Sequence, residues 1–279
     1  MCILFIYIGS NDEGGDYSLI IASNRDEYYD RPTQNMVQWA EDPHVIGGRD
    51  LKPGSGGGTW LAISPTQRKI GVLLNLPGNE INNAQSRGKI VADYVKCETP
   101  TQEYIQSMKN YIKECNGFVL VTAELCNSNS DKLNPKVSTY SNITDKLIVH
   151  KESYLGFGNC LPENPLKKVS YGKNQLEDIC SRLNKIDQKK ELIDELLMLL
   201  KTGDRHLPDS QLEERSPTGY KHLSSVFVSI AEIRYGTRTH TLVLVTKTGH
   251  VDIIEVTLES PVDTANPQWL TTEHQFDLF

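Results

Sequence analysis

The second residue of the chain is a cysteine, Cys2. Removal of Met1 by a methionine aminopeptidase, which accepts a small second residue, leaves a thiol and a free α-amine on one residue. Their reference pKa values are roughly 8 for the amine and 8.5 for the thiol. At neutral pH the amine can take the thiol proton, directly or through water, so the nucleophile needs no histidine base. Alternatively, Cys2 is a small apolar residue of an N-terminal strand, since free cysteine often serves packing. Asn24-Arg25-Asp26-Glu27 closes an apolar run. A carboxylate there could hold the Cys2 α-ammonium by charge-assisted hydrogen bonds. An arginine could favour the thiolate. The alternative is a solvated strand end. Asn75 and Asn159 each end an apolar stretch, where an amide N–H could support an oxyanion or simply shape a turn. Arg238 enters a strong strand, and Trp60 follows a glycine-rich stretch and is a candidate pocket wall.

Other chemistries find less support. The seven histidines contain no H-x-x-x-H pair and the six cysteines no C-x-x-C pair, so no metal site is expected. Gly54-Ser55-Gly56-Gly57-Gly58 lacks the lysine of a phosphate loop. Its glycines are expected to allow unusual backbone angles or close approach of another segment. A net charge of −7 without a long block of one sign argues against a nucleic-acid partner. No apolar stretch reaches membrane-spanning length, and the short run after Cys2 lacks the features of a signal peptide. The cysteines are therefore expected to be reduced and the protein cytoplasmic.

These residues need elements to position them. Leu4 to Ile8 and Ser18 to Ala22 read as strands of a hairpin turning near Asp12, which sets Cys2 beside 23–27. Thr59 to Ser64 and Lys69 to Asn75 read as a second hairpin, and Phe118 to Ala123 as a strand. Weaker strands are expected at Val137 to Tyr140, Leu147 to His150 and Leu155 to Gly158. Val226 to Ile233, Thr239 to Thr246 and Val251 to Thr257 complete the strands. Helices are expected over Gln85 to Lys96, from Thr99 to about Lys113 with a Thr99/Gln102 capping box, over Leu166 to Leu183 and over Lys190 to Lys201. Hairpin-spaced strands segregated from helices predict an α+β chain of largely antiparallel sheets. The expected form is a single domain over residues 1–279, an αββα four-layer sandwich.

The motifs also assemble into a resemblance. Met1-Cys2, Asn24-Arg25-Asp26-Glu27, Gly57-Gly58-Thr59-Trp60-Leu61, Arg87-Gly88 and Asn116-Gly117-Phe118 resemble the NRDE family. So do Tyr154-Leu155-Gly156-Phe157-Gly158-Asn159 and Tyr235-Gly236-Thr237-Arg238-Thr239. The resemblance covers essentially the whole chain. It implies a role in Golgi organisation and protein secretion, with links to haem trafficking and to acyl-lipid metabolism. It also implies cytosolic and mitochondrial pools.

More distantly, the order of sites is similar to cysteine N-terminal-nucleophile hydrolases: penicillin V acylases, bile-salt hydrolases and acid ceramidase. That likeness implies a catalytic set of Cys2, Asp26, Asn75, Asn159 and Arg238. Asn24, Arg25, Glu27 and Trp60 are expected as binding residues, with Arg25 and Glu27 in a role peculiar to the NRDE family. One departure is visible. The arginine expected at the place of Ser23 is found instead at Arg25, two residues on and on the same strand face. Two functions follow as expectations. One is hydrolysis of an amide or acyl thioester through Cys2. The other is binding of haem, as a transported ligand, or of a small hydrophobic or acyl ligand without turnover. No cofactor is required for the first, and peripheral contact with Golgi or mitochondrial membranes fits either.

Overall fold

The computed structural model describes residues 2–9, 12–78, 80–127 and 133–278. Met1, whose removal the Cys2 chemistry requires, lies outside them. The chain divides into two compact units, residues 1–30 with 152–276 and residues 31–151 with 277–279.

The first unit is built on an antiparallel sheet ordered β10-β1-β2-β12-β13-β14. Its strands are β1 (Ile3–Ile8), β2 (Tyr17–Tyr28), β10 (Tyr154–Gly158), β12 (Tyr235–Thr246), β13 (His250–Leu258) and β14 (Trp269–Asp277). Alternate residues of the central strands (Ile3, Phe5, Ile20, Ala22, Leu242 and Leu244) share a core with Leu176, Leu192 and Leu196. Those leucines come from α4 (Lys167–Arg182) and α5 (Lys189–Leu200). Strand alternation thus assigns one face of β1, β2 and β12 to the helices.

α4 packs on β1 and β10 through a close approach. An ideal Cβ on Gly172 would lie 2.0 Å from the ring of Phe5, so the contact admits only glycine. Two shorter helices follow, α6 (Ser210–Arg215) and α7 (Tyr220–Leu223). The Asp209 side chain caps α6 by accepting from the Leu212 N–H at 3.2 Å.

The second unit holds the antiparallel sheet β3-β4-β5-β6-β7-β8-β9. Its strands are β3 (Thr33–Trp39), β4 (Asp42–Asp50), β5 (Leu61–Ser64), β6 (Lys69–Asn75), β7 (Phe118–Asn127), β8 (Leu133–Ser141) and β9 (Lys146–Val149). α1 (Gly88–Lys96) buries Ile90, Val91, Tyr94 and Val95 in a core with Ala62, Leu73, Phe118 and Leu120. The glycine stretch behaves as its composition predicts. Gly54, Gly56 and Gly57 have positive φ, and Gly58 meets the backbone of Gly88.

A mixed α/β chain on antiparallel sheets matches the expected class, and the expected strands and main helices are all found save one. Val226 to Ile233 is not a strand. Only β11 (Ser229–Ile230) pairs with β12, and a 3-10 turn follows at Ala231–Ile233. The preceding backbone is engaged elsewhere, with the Phe227 N–H donated to the Thr202 carbonyl. The helix expected from Thr99 to Lys113 is two, α2 (Thr101–Ser107) and α3 (Lys109–Lys113). The Ser107 hydroxyl donates to the Tyr104 carbonyl at 2.7 Å and competes with the backbone there. The expected capping box is not found: the helix is capped at Pro100 without a side-chain hydrogen bond, the Thr99 hydroxyl turns to Cys97 Sγ at 3.6 Å, and Glu124 accepts from the Thr101 N–H at 3.0 Å. The helix expected from Gln85 starts at Gly88. Strands β3, β4 and β14 were not expected, and their half-exposed, polar sequences explain why.

Candidate active site at Cys2

The β1–β2 hairpin pairs Ile3 with Asn24, and the β1–β10 ladder pairs Ile3 with Gly158. One residue further along each ladder, Cys2 falls across from Arg25 on one side and Asn159 on the other. Antiparallel pairing therefore joins three sequence-distant candidates into one row at the sheet's end. The Cys2 sulfur lies 4.0 Å from the Asp26 carbonyl oxygen, the outer limit of a thiol hydrogen bond. Cys2 is half-buried. Burial pushes its thiol up, and the Asp26 carboxylate adds to this, while the Arg25 guanidinium acts in the opposite sense.

Asp26 is buried and its Oδ1 accepts from the Thr237 hydroxyl at 2.6 Å. Thr237 Oγ1 in turn accepts from the Val228 N–H at 2.9 Å. Thr237 and Asp26 are register partners, but the next pair is Thr239 with Arg25. Arg238 is the extra residue of a β-bulge, a feature that re-aims side chains. Its buried guanidinium donates to the Tyr28 carbonyl at 3.0 Å and to Ser260 Oγ at 3.3 Å. Arg238 is thus an internal clamp, and a surface role is excluded by its 2 % exposure. Arg25 is the arginine whose charge favours a Cys2 thiolate.

The remaining motif residues divide by role. Asn24 is fully buried on the helix-covered face. Its amide donates to the carbonyls of Leu200 at 2.8 Å and Val226 at 3.1 Å. Asn24 Oδ1 lies 2.6 Å from His240 Nδ1. Asn24 therefore ties α5 and the Val226 segment to the sheet. Glu27 is half-buried, 4.0 Å from Arg25, and accepts from the Tyr28 N–H at 2.9 Å. Asn159 is buried, and its carbonyl accepts from Arg215 at 2.8 Å. Asn75 and Trp60 belong to the second unit. Asn75 is the exposed last residue of β6, paired with Phe118. Trp60 is half-buried, and its ring fills the place that a Cβ on Gly48 would take.

The family model described as Transport and Golgi organisation 2 matches residues 1–260. The chain belongs to this family. NRDE is another label for it, so the resemblance read from the sequence holds. The Drosophila melanogaster Transport and Golgi organization protein 2 is 38% identical over 266 residues, 92% of each chain. The mouse Transport and Golgi organization 2 homolog is 30% identical over 286 residues, covering 100% of this chain and 99% of its own. The human homolog is 30% identical over 285 residues with the same coverage.

Two residues of this family member's site escaped the sequence reading. Thr237 stood inside a quoted motif without a role. Lys168, in α4, is only 1 % exposed. Its Nζ donates to the Ser225 carbonyl at 2.9 Å. Burial pushes its amine down, opposed first by Asp26 and then by Cys2. The signal was helical phase. Lys168 lies four residues before Gly172, and Gly172 four before Leu176, all on the buried stripe of α4. Its residue type gives no hint of burial, since lysines are mostly exposed. Among the described residues no group of three or more His, Cys, Asp or Glu is placed to hold a metal, and no helix is long and apolar enough to cross a membrane.

Proposed function

We propose that this chain is a Cys2-dependent hydrolase of an amide or acyl-thioester bond in a small hydrophobic or acyl ligand, working within Golgi organisation and protein secretion. The fold proposed with it is the αββα sandwich of N-terminal-nucleophile hydrolases, one domain over residues 1–279. The observation that carries the reading is the Cys2 sulfur 4.0 Å from the Asp26 carbonyl, with the Asp26 carboxylate anchored by Thr237 at 2.6 Å. The names printed for the fly, mouse and human relatives support the cellular half of it. A cytoplasmic protein touching Golgi or mitochondrial membranes peripherally fits this role.

The chemistry runs in two steps. With Met1 removed, the Cys2 amine accepts the Sγ proton and the sulfur adds to the acyl carbonyl. Collapse of the tetrahedral adduct breaks the amide or thioester bond, and the leaving amine or thiol takes the proton. Water then attacks the Cys2 thioester, releasing the acid and restoring the thiol. Asp26 orients the amine, Asn159 supports substrate or oxyanion, and Arg238 holds the Tyr28 end of β2 in place.

Intact mass spectrometry of the mature protein with an acyl-CoA tests this. Loss of Met1 and a hydrolysable acyl adduct on Cys2, absent in Cys2→Ala, is expected. No adduct, together with turnover unchanged by Cys2→Ala, would refute it. A second reading is retention of haem or an acyl lipid without turnover. Burial favours it by keeping the Cys2 thiol protonated. A Soret titration for haem and native mass spectrometry for lipid test it, and a lack of saturable binding counts against it.

A further inference from the structure

The seam between α1 and β6 holds a buried lysine against a cysteine. Lys69, the first residue of β6, is 4 % exposed, and Cys97, the C-cap of α1, is half-buried. An ammonium has three N–H donors. Lys69 Nζ turns them to the Cys97 carbonyl at 2.7 Å, the Thr99 carbonyl at 2.5 Å and the Cys97 sulfur at 3.3 Å. The Tyr94 ring lies 5.0 Å from the same nitrogen. The Thr99 hydroxyl is a second donor toward the sulfur, at 3.6 Å.

Among the described residues no carboxylate forms an ion pair with this ammonium, and its carbonyl and ring partners are neutral. Glu124, its register partner on β7, is turned to the Thr101 N–H at 3.0 Å and to Lys136 at 4.0 Å. A buried cation without a counter-ion is costly. Of the groups in contact with Lys69 Nζ, the thiol is the one that can supply a negative charge. Two influences oppose this. A neutral thiol has an acceptor in the Tyr94 carbonyl at 3.2 Å, and the sulfur sits at the carbonyl end of α1. That helix end carries roughly half a charge. The ammonium brings a full charge into contact with the sulfur and decides the balance.

We propose that Cys97 is a modification site for hydroperoxides: Lys69 holds its sulfur as the thiolate, and hydrogen peroxide converts it to the sulfenic acid. The site belongs to the second unit and stands independently of the Cys2 reading. The sulfur attacks one peroxide oxygen, and an S–O bond forms as the O–O bond breaks. The leaving hydroxide takes the proton that the thiol gave up and departs as water. Cys97 is oxidised by two electrons and the peroxide is reduced by two. The new oxygen offers Lys69 Nζ a stronger acceptor than a neutral thiol does.

Limiting hydrogen peroxide with dimedone trapping, read peptide by peptide by mass spectrometry on the whole chain, tests this. Cys126 is the internal reference, because it is exposed and among the described residues no cation bonds to its sulfur. If access alone set the rate, Cys126 would be trapped first. Cys97 should instead be trapped about tenfold faster than Cys126 in the folded protein, and the preference should vanish in guanidinium chloride. Equal trapping, faster trapping at Cys126, or a preference that survives unfolding overturns the proposal. Lys69→Met should slow Cys97 about tenfold relative to Cys126. A folded Lys69→Met protein with the wild-type ratio overturns the proposal equally. If Lys69→Met does not fold, the comparison of the two cysteines in the wild-type chain decides alone.

Discussion

Replacing Gly172 with alanine sets two known effects against each other. In an isolated helix the change stabilises by about 1 kcal/mol, because alanine has the higher helix propensity. In α4 the new Cβ would lie 2.0 Å from Phe5 Cζ and 2.5 Å from Phe5 Cε1, where ordinary contact begins at 3.4 Å. Phe5 has no exposed surface, and β1 is paired on both sides, so neither ring nor strand can withdraw cheaply. Helix and strand must part by roughly an ångström, and overpacking of this kind costs about 1–3 kcal/mol. With so short a contact the steric cost falls in the upper half of that range and wins, and Gly172→Ala should be less stable than wild type by about 1–2 kcal/mol net of the propensity gain. Urea unfolding followed by far-UV circular dichroism measures it. Combining Gly172→Ala with Phe5→Leu should return part of the loss, since the ring edge is what the methyl meets. An alanine variant as stable as wild type, or a double variant whose losses simply add, would show that α4 is not held against β1 at this point.

Two further outcomes follow from the site. Thr237→Val removes the hydroxyl between Asp26 and Val228 while keeping shape, and should cost about 3 kcal/mol, since a charged acceptor and a backbone donor each lose a partner. A loss under about 0.5 kcal/mol in the same urea assay would contradict that bridging role. Burial holds His240 at a pKa of about 3, against an ordinary 6.5. Its folded value is depressed, so the unfolded chain binds the proton first, and stability present above pH 6.5 is lost as pH falls toward 3. His240→Gln, which can still donate to Asn24, should flatten the stability profile between pH 6.5 and 5 by up to about 1.4 kcal/mol per pH unit. Identical slopes in the two proteins would place the imidazole in contact with water.

Much of this arrangement was legible in the residues. The length of the apolar runs and the turn near Asp12 were enough to put Cys2 beside Asn24 to Glu27, because antiparallel pairing is reciprocal. What pairing could not convey was orientation within the motif. Asn24 looked like a binding residue, yet it spends its amide on two backbone carbonyls beneath the helices. Arg238 read only as the entry to a strong strand, because nothing local announces a bulge. Lys168 was hidden by chemistry, since a lysine is expected in water and its helical phase was the only hint. The half-exposed strands β3 and β14 were missed for lack of alternation. The break at Met108 was missed because a serine hydroxyl competing for one carbonyl leaves no periodic trace.

The inserted residue in β12 has a consequence for how this chain can vary. Thr237 and Thr239 are two apart yet serve opposite sides of the sheet, one gripping Asp26 and the other bonded to Thr257 Oγ1 at 2.8 Å. Were β12 to pleat regularly with Arg238 kept, Tyr235 to Thr237 would be carried to the wrong side and the Asp26 carboxylate would lose its hydroxyl. Deleting Arg238 instead sets Thr237 next to Thr239, and neighbours in a regular strand already face opposite sides. The threonine thus meets Asp26 with or without the insertion, and what the extra residue adds is a guanidinium at Tyr28 and Ser260.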